Sequence, residues 1–173
     1  MNKTALQIIR FVVLVLLQVL VVNQIRLGGY VHPYIYILFV MLLPINIAGW
    51  QLLLLGFSLG LSVDLFTGTP GLHAGATTLM AFCRPQIIKL ISGTLKFENI
   101  YEPNLNQLDG MWFFRYVFCM VFVHHFALFF MESFSFHLFG QVLLRVLLSV
   151  PVSVFLIMMI LYIFKTDRKG MGR

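Results

Sequence analysis

Polar residues in this chain are confined to short breaks between long apolar runs. The runs cover approximately residues 8–25, 34–47, 50–66, 72–92, 111–131 and 138–164. Runs this long show no alternation of period two, which excludes the strands of an outer-membrane barrel. Crossing a bilayer takes close to 20 apolar residues in a helix. The pattern therefore predicts an all-α integral membrane protein of six transmembrane helices, with residues 1–173 forming a single transmembrane domain. The second and third runs, Tyr34 to Ile47 and Trp50 to Phe66, are short. Only Asn46 to Gly49 separates them, and His32-Pro33 and Pro44 bracket the second. A four-span protein with a re-entrant hairpin at residues 34–66 is the alternative.

The first run follows Lys3 and Arg10, as in a signal peptide. Val21-Val22-Asn23-Gln24 offers no small-x-small cleavage site, and more apolar runs follow, so it is expected to be a retained first span. Between the fourth and fifth spans lies the only sizeable hydrophilic segment, Gly93 to Gly110, too short for a core of its own.

Composition adds the solvent. Of 173 residues 60% are hydrophobic and only 10% charged. A soluble domain carries roughly a quarter charged residues. This one cannot cover a water-facing surface, so lipid must solvate it. The net charge of +6 could suggest nucleic acid, but the basic residues sit at the ends of apolar runs, with no basic stripe among exposed aromatics. They read as topology signals. With the N-terminus inside, Lys3, Arg10, Arg84, Lys89, Lys96, Arg115, Lys165, Arg168, Lys169 and Arg173 fall toward the cytoplasm, leaving only Arg26 and Arg145 on the other side. Both termini are then cytoplasmic.

Candidate chemistry is sparse. Gly56, Gly60 and Asp64 are spaced four apart and share one face of the third span, with Gly49 close to it. Such small-residue faces let membrane helices approach closely. Asp64 lies in the last turn, where the helix dipole disfavours a carboxylate, and a charge inside the membrane costs on the order of 3 kcal/mol. Two compensations are available. Gly68, Pro70 and Gly71 reverse the chain, so the free N–H groups that start the fourth span can receive the carboxylate. Arg145, at a similar depth, is a candidate salt-bridge partner. Asp64 is expected to be a joint between spans, with a ligand or proton site as the alternative. Arg84-Pro85 is expected to mark where the fourth span bends and leaves the bilayer, the arginine reaching for the inner interface.

His124 and His125 are adjacent and diverge by about 100° on a helix, so they cannot chelate together. A composite metal site of His73, His137 and Glu132 has no supporting spacing. Cys83 and Cys119 lie within apolar runs and form no C-x-x-C pair, as small buried residues do. No hydrolase, zinc-protease or nucleotide-binding motif occurs. No enzyme activity, metal or cofactor is expected.

The chain as a whole resembles the MreD family, bacterial rod shape-determining membrane proteins. The resemblance rests on length, on the nearly loop-free six-span plan, and on one stretch. Gly60-Leu61-Ser62-Val63-Asp64-Leu65-Phe66 is followed by Gly71-Leu72-His73-Ala74. Gly60, Asp64, Gly71 and Ala74 match a pattern of glycine, aspartate four later, and glycine-apolar-x-alanine at the next helix start. Arg84-Pro85 is similar to a pair that many members carry. The resemblance implies a non-catalytic subunit of the cell-elongation machinery in the bacterial inner membrane. It would bind the single-span scaffold MreC, and through it MreB, RodZ, RodA and a class B penicillin-binding protein. It also implies a fold like the substrate-binding subunits of energy-coupling-factor transporters. The alternative is a transporter subunit that captures a small molecule from the outer side, although the outer loops are short. An intramembrane enzyme would need paired catalytic groups at one depth, and Asp64 is the only carboxylate well inside a span.

Overall fold

The computed structural model describes residues 3–25, 29–93, 100–134 and 136–164. Arg26, Lys96, Lys165, Arg168, Lys169 and Arg173, on which part of the charge argument rests, lie outside them. The described residues are all-helical, with no strands among them. The helices are α1 (Lys3–Leu20), α2 (Leu38–Met41), α3 (Gly49–Thr67), α4 (Leu72–Ser92), α5 (Gly110–Ser133) and α6 (Phe139–Ile163). Four segments are long and apolar enough to cross a membrane: Thr4–Gln24, Gly49–Thr67, Gly110–Ser133 and Phe139–Ile163. α4 has 21 residues and is more polar, and it packs between α3 and α5.

Consecutive long helices pack side by side from α3 through α6, and α1 lies against α3. The loop at 100–109 joins several of their ends. Arg10 of α1 pairs with Glu102 at 2.6 Å, and Asp109 caps α5 by accepting from Met111 and Trp112 N–H. The hydroxyl of Tyr162 in α6 lies beside Gly110.

The second apolar run corrects the expectation of a long transmembrane helix. Only Leu38–Met41 is helical, a single turn of four residues. The third run, expected alternatively as the second arm of a re-entrant hairpin, is instead a continuous 19-residue helix. Two physical reasons explain the second run. Pro33 and Pro44 bracket a segment too short to span as a helix. The segment also has no lipid-facing side. Ile35 to Met41 are each at most 4% exposed, a more complete burial than any long helix achieves. It is a spine threaded through the bundle, and lipid contact is left to the long helices α1 and α3 to α6, whose exposed residues include Ile8, Leu54, Phe82, Phe118 and Phe155.

A non-helical backbone at membrane depth must have each polar group satisfied by protein. Polar side chains of the long helices do this. Ser149 and Ser153, one turn apart on α6, accept from the N–H groups of His32 and Tyr34 at 3.0 Å each. Gln18 of α1, fully buried, accepts from Ile35 N–H at 2.8 Å and donates to the Pro33 carbonyl at 3.1 Å. At the other end of the spine, Ile45 N–H donates to the Tyr101 carbonyl at 2.9 Å. The spine thus runs from the level of the α3–α4 turn to the level of the 100–109 loop.

Candidate functional site

Two buried charged groups and a histidine cluster hold the chemistry. The first charge is Asp64. Gly68 and Gly71 take positive φ of 70° and 84°, which lets the chain close the α3–α4 turn in very few residues. The turn brings the start of α4 over the end of α3. Asp64 Oδ1 accepts from His73 N–H at 3.0 Å and from the Thr69 hydroxyl at 2.9 Å, and Oδ2 accepts from Ala74 N–H at 2.9 Å. An anion at a helix N-terminus is favourable on both hydrogen-bond and dipole grounds. The carboxylate sits at the unfavourable end of α3 and the favourable end of α4.

That geometry needs very close packing. A Cβ at Gly60 would fall 2.6 Å from the Cα of Ala74, an overlap with backbone that cannot relax. One turn earlier, a Cβ at Gly56 would meet the Ala81 methyl at 3.0 Å. Gly56, Gly60, Asp64, Gly71 and Ala74 therefore belong to one joint between α3 and α4. The small-residue face of α3 is internal, turned to α4.

Arg145 is not part of it, which corrects the proposed salt bridge. Its guanidinium pairs with Glu132 at 3.0 Å and stacks over the Phe129 ring at 4.4 Å. The physical reason is that Glu132 holds the guanidinium, while the oxygens of Asp64 already accept from three donors, two of them at a helix terminus.

The second buried charge is Arg84, and here the expectation is corrected again. α4 continues without interruption past Pro85 to Ser92, and Arg84 is 1% exposed, turned into the bundle. It caps the spine. Nη1 donates to the Pro44 carbonyl at 3.2 Å, and Nη2 donates to the carbonyls of Leu43 and Met41. Its Nε donates to the Tyr116 hydroxyl at 2.9 Å, and that hydroxyl donates in turn to the Met41 carbonyl at 3.0 Å. The carbonyls released where α2 ends have no helical partner. A forked cation with several donors fits such a cluster better than a lysine would.

The histidines form a third group, which residue spacing did not reveal. Tyr36 on the spine is fully buried, and its hydroxyl meets His124 Nε2 at 2.7 Å, His73 Nδ1 at 3.1 Å and Thr77 Oγ1 at 3.1 Å. His125 faces α6, with Nε2 2.9 Å from the Ser153 hydroxyl and Nδ1 2.9 Å from the Val121 carbonyl. The two adjacent histidines diverge, as their one-residue spacing requires. No group of three or more His, Cys, Asp or Glu among the described residues converges as metal ligands.

Beside this group lies a polar cavity of about 380 Å³, lined among others by Asn23, His32, Tyr34, Thr67, Thr69 and His73. A larger cleft of about 750 Å³ lies between α1 and α3 at the end that carries Glu102. Cys83 and Cys119 are half-buried free thiols on separate helices.

Sequence reasoning missed Gln18, Tyr36, Tyr116, Ser149 and Ser153. Each is a polar residue inside an apolar run with no hydrogen-bonding role evident from its neighbours in sequence. That isolation was the available signal, since a polar group in hydrocarbon needs a partner from another element. No family model, no curated protein and no solved structure matches the chain.

Proposed function

We propose that this chain is a non-catalytic scaffold subunit of the cell-elongation and peptidoglycan-synthesis machinery in the bacterial inner membrane. Both termini and the 94–109 loop would be cytoplasmic. It would bind an MreC-like single-span protein through its helix faces, within a larger complex that includes MreB, RodZ, RodA and a class B penicillin-binding protein. The observation that carries the reading is the joint. Gly60, Asp64, Gly71 and Ala74, the four residues on which the likeness to MreD rests, come together as one packed hydrogen-bonded unit. Residues shared for chemistry would converge on a cavity, whereas these converge on each other. The buried charges of the chain likewise hold backbone, which suits a protein that presents a fixed lipid-facing shape to other membrane helices. Depleting the chain from a rod-shaped host tests this. Cells should widen and round while membrane transport continues, and unchanged cell width would contradict it.

A second reading, a transporter subunit that binds a small molecule, is favoured by the polar cavity alone. Its wall includes Tyr34 and His73, residues with hydrogen-bonding capacity at the end of the bundle that carries the α3–α4 turn. Orientation is common to both readings. Reporter fusions after Lys96 and Arg173 should report cytoplasm, and one after Thr69 should report periplasm. A periplasmic signal at Lys96 would overturn the topology.

A further inference from the structure

The polar cavity beside the α3–α4 turn is selective because of where the protons on its wall go. Among the described residues no Lys, Arg, Asp or Glu lines it, but two threonine hydroxyls do. Each hydroxyl has a single proton. Thr69 gives its proton to Asp64 Oδ1 at 2.9 Å. Thr67 gives its own to the Val63 carbonyl at 2.9 Å or to Thr69 Oγ at 2.7 Å. Both threonines therefore offer the cavity lone pairs only.

His73 lines the same cavity, and its Nδ1 is engaged by the Tyr36 hydroxyl at 3.1 Å. Its Nε2 has no hydrogen bond to a described residue and is not an enclosed atom. The shortest contact of the Tyr36 hydroxyl is 2.7 Å to His124 Nε2. When Tyr36 donates there, His73 Nδ1 carries a proton, and Nε2 is a third acceptor toward the cavity.

Charge points the same way. Thr69 and the His73 N–H both donate to Asp64 Oδ1, so the carboxylate lies one hydrogen bond behind the wall. Among the described residues no cation pairs with it, since Arg145 is held by Glu132 and Arg84 by spine carbonyls. The start of α4 offsets about half of an elementary charge. The remainder is negative, at a depth where charge is costly, and it repels an anionic ligand. A sugar or other polyol brings as many acceptors as donors, and its acceptors would meet lone pairs. A primary ammonium has three donors, no acceptor and the right sign. The aromatic rings of Tyr34 and Phe66 in the wall suit a cation as well. Asn23 and Gln24, exposed polar residues beyond the apolar run of α1, open the cavity toward water.

We propose that this cavity binds a small water-borne primary ammonium, which donates to Thr67, Thr69 and His73. The proposal names a ligand class for the second reading and rests on that reading's cavity. The scaffold reading does not depend on it.

The test places the full-length protein, labelled with nitrogen-15 at histidine, in phosphatidylcholine nanodiscs. The His73 imidazole resonances are followed while propylammonium, tetramethylammonium or propionate is added. Propylammonium should shift them saturably, at least about tenfold more tightly than tetramethylammonium, which has no N–H to donate. Propionate should have no effect. Thr67→Val keeps the side chain's shape and removes one acceptor, and it should weaken propylammonium about tenfold without moving the unfolding temperature. Thr67→Ser should restore the affinity. Replacing half of the lipid by phosphatidylethanolamine should change nothing, and competition by that lipid would overturn the water-borne source. No saturable shift, equal affinity for the two cations, a response to propionate, or full affinity in folded Thr67→Val protein would each overturn the proposal. None of these outcomes bears on cell width, so the scaffold reading is tested separately.

Discussion

Asp64 and Arg84 are both charged, both almost wholly buried, and both attached to the α3–α4 hairpin. Their partners differ in kind. Asp64 receives N–H groups from a helix start nine and ten residues along the chain. Arg84 donates to carbonyls 40 to 43 residues away, on a segment that is barely helical. The first is local helix capping and holds a turn. The second is long-range and holds a backbone in place that could not exist in a membrane by itself. An acid is suited to helix starts and a forked base to helix ends, and the chain uses each where backbone groups of the complementary kind are left over.

That difference decides how much was legible before the structure. The Asp64 joint could be read because every participant lies between Gly56 and Ala81, and four-residue spacing places the small residues on one face. The cap from the α4 start was one of two compensations foreseen, and it is the one present. The other, Arg145, failed because depth alone does not establish contact. The role of Arg84 is not legible in the sequence, because the pattern of apolar runs assumes that a run is a helix. A helix over 34–47 would leave no orphan carbonyls inside the bundle, and the arginine would then belong at the interface. The prolines at 33 and 44 and the isolated Gln18, Tyr116, Ser149 and Ser153 were the traces of an unwound segment. Their meaning depends on contacts between residues up to 119 apart in sequence, which periodicity cannot supply.

Variants in the two regions should break in different ways. The largest effect is expected at Gly60→Leu. A side chain there overlaps the α4 backbone, and overpacking of this kind costs about 3 kcal/mol or more, so little folded protein should be recovered from detergent. A stable, monodisperse variant would show that α3 and α4 are not in contact there.

Arg84→Ala should follow closely. It leaves the carbonyls of Met41, Leu43 and Pro44 short of donors, at roughly 1 kcal/mol for each hydrogen bond lost in a membrane protein. Thermal unfolding in detergent should shift down sharply. Arg84→Lys should recover only part of the loss, because a point charge cannot reach all three carbonyls. Complete rescue by lysine would reduce the residue to its charge and remove the comparison's main contrast.

Asp64→Ala should be milder, at about 2 kcal/mol, within the range for helix caps. Asp64→Asn should be milder still, since one carboxamide oxygen continues to accept from the α4 start. Equal losses for alanine and asparagine would mean that the negative charge, and not hydrogen bonding, sustains the joint.

Arg145→Ala should have the smallest effect, below about 1 kcal/mol, as for partly exposed ion pairs. Combined with Asp64→Ala it should add without coupling, because the two groups share no partner. A double-mutant cycle with a coupling energy near 1 kcal/mol or above would place Arg145 back beside Asp64.

We propose that these buried charges fix a rigid shape whose outer faces engage wall-synthesis proteins. The most direct test of this is affinity purification of the tagged full-length protein from native bacterial membranes in mild detergent, with mass spectrometry of everything that co-elutes. The account predicts an MreC-like single-span protein in near-equal amount, retained by folded Asp64→Asn protein. Recovery of a transport ATPase or a tightly bound small metabolite, with no wall-synthesis protein, would contradict it.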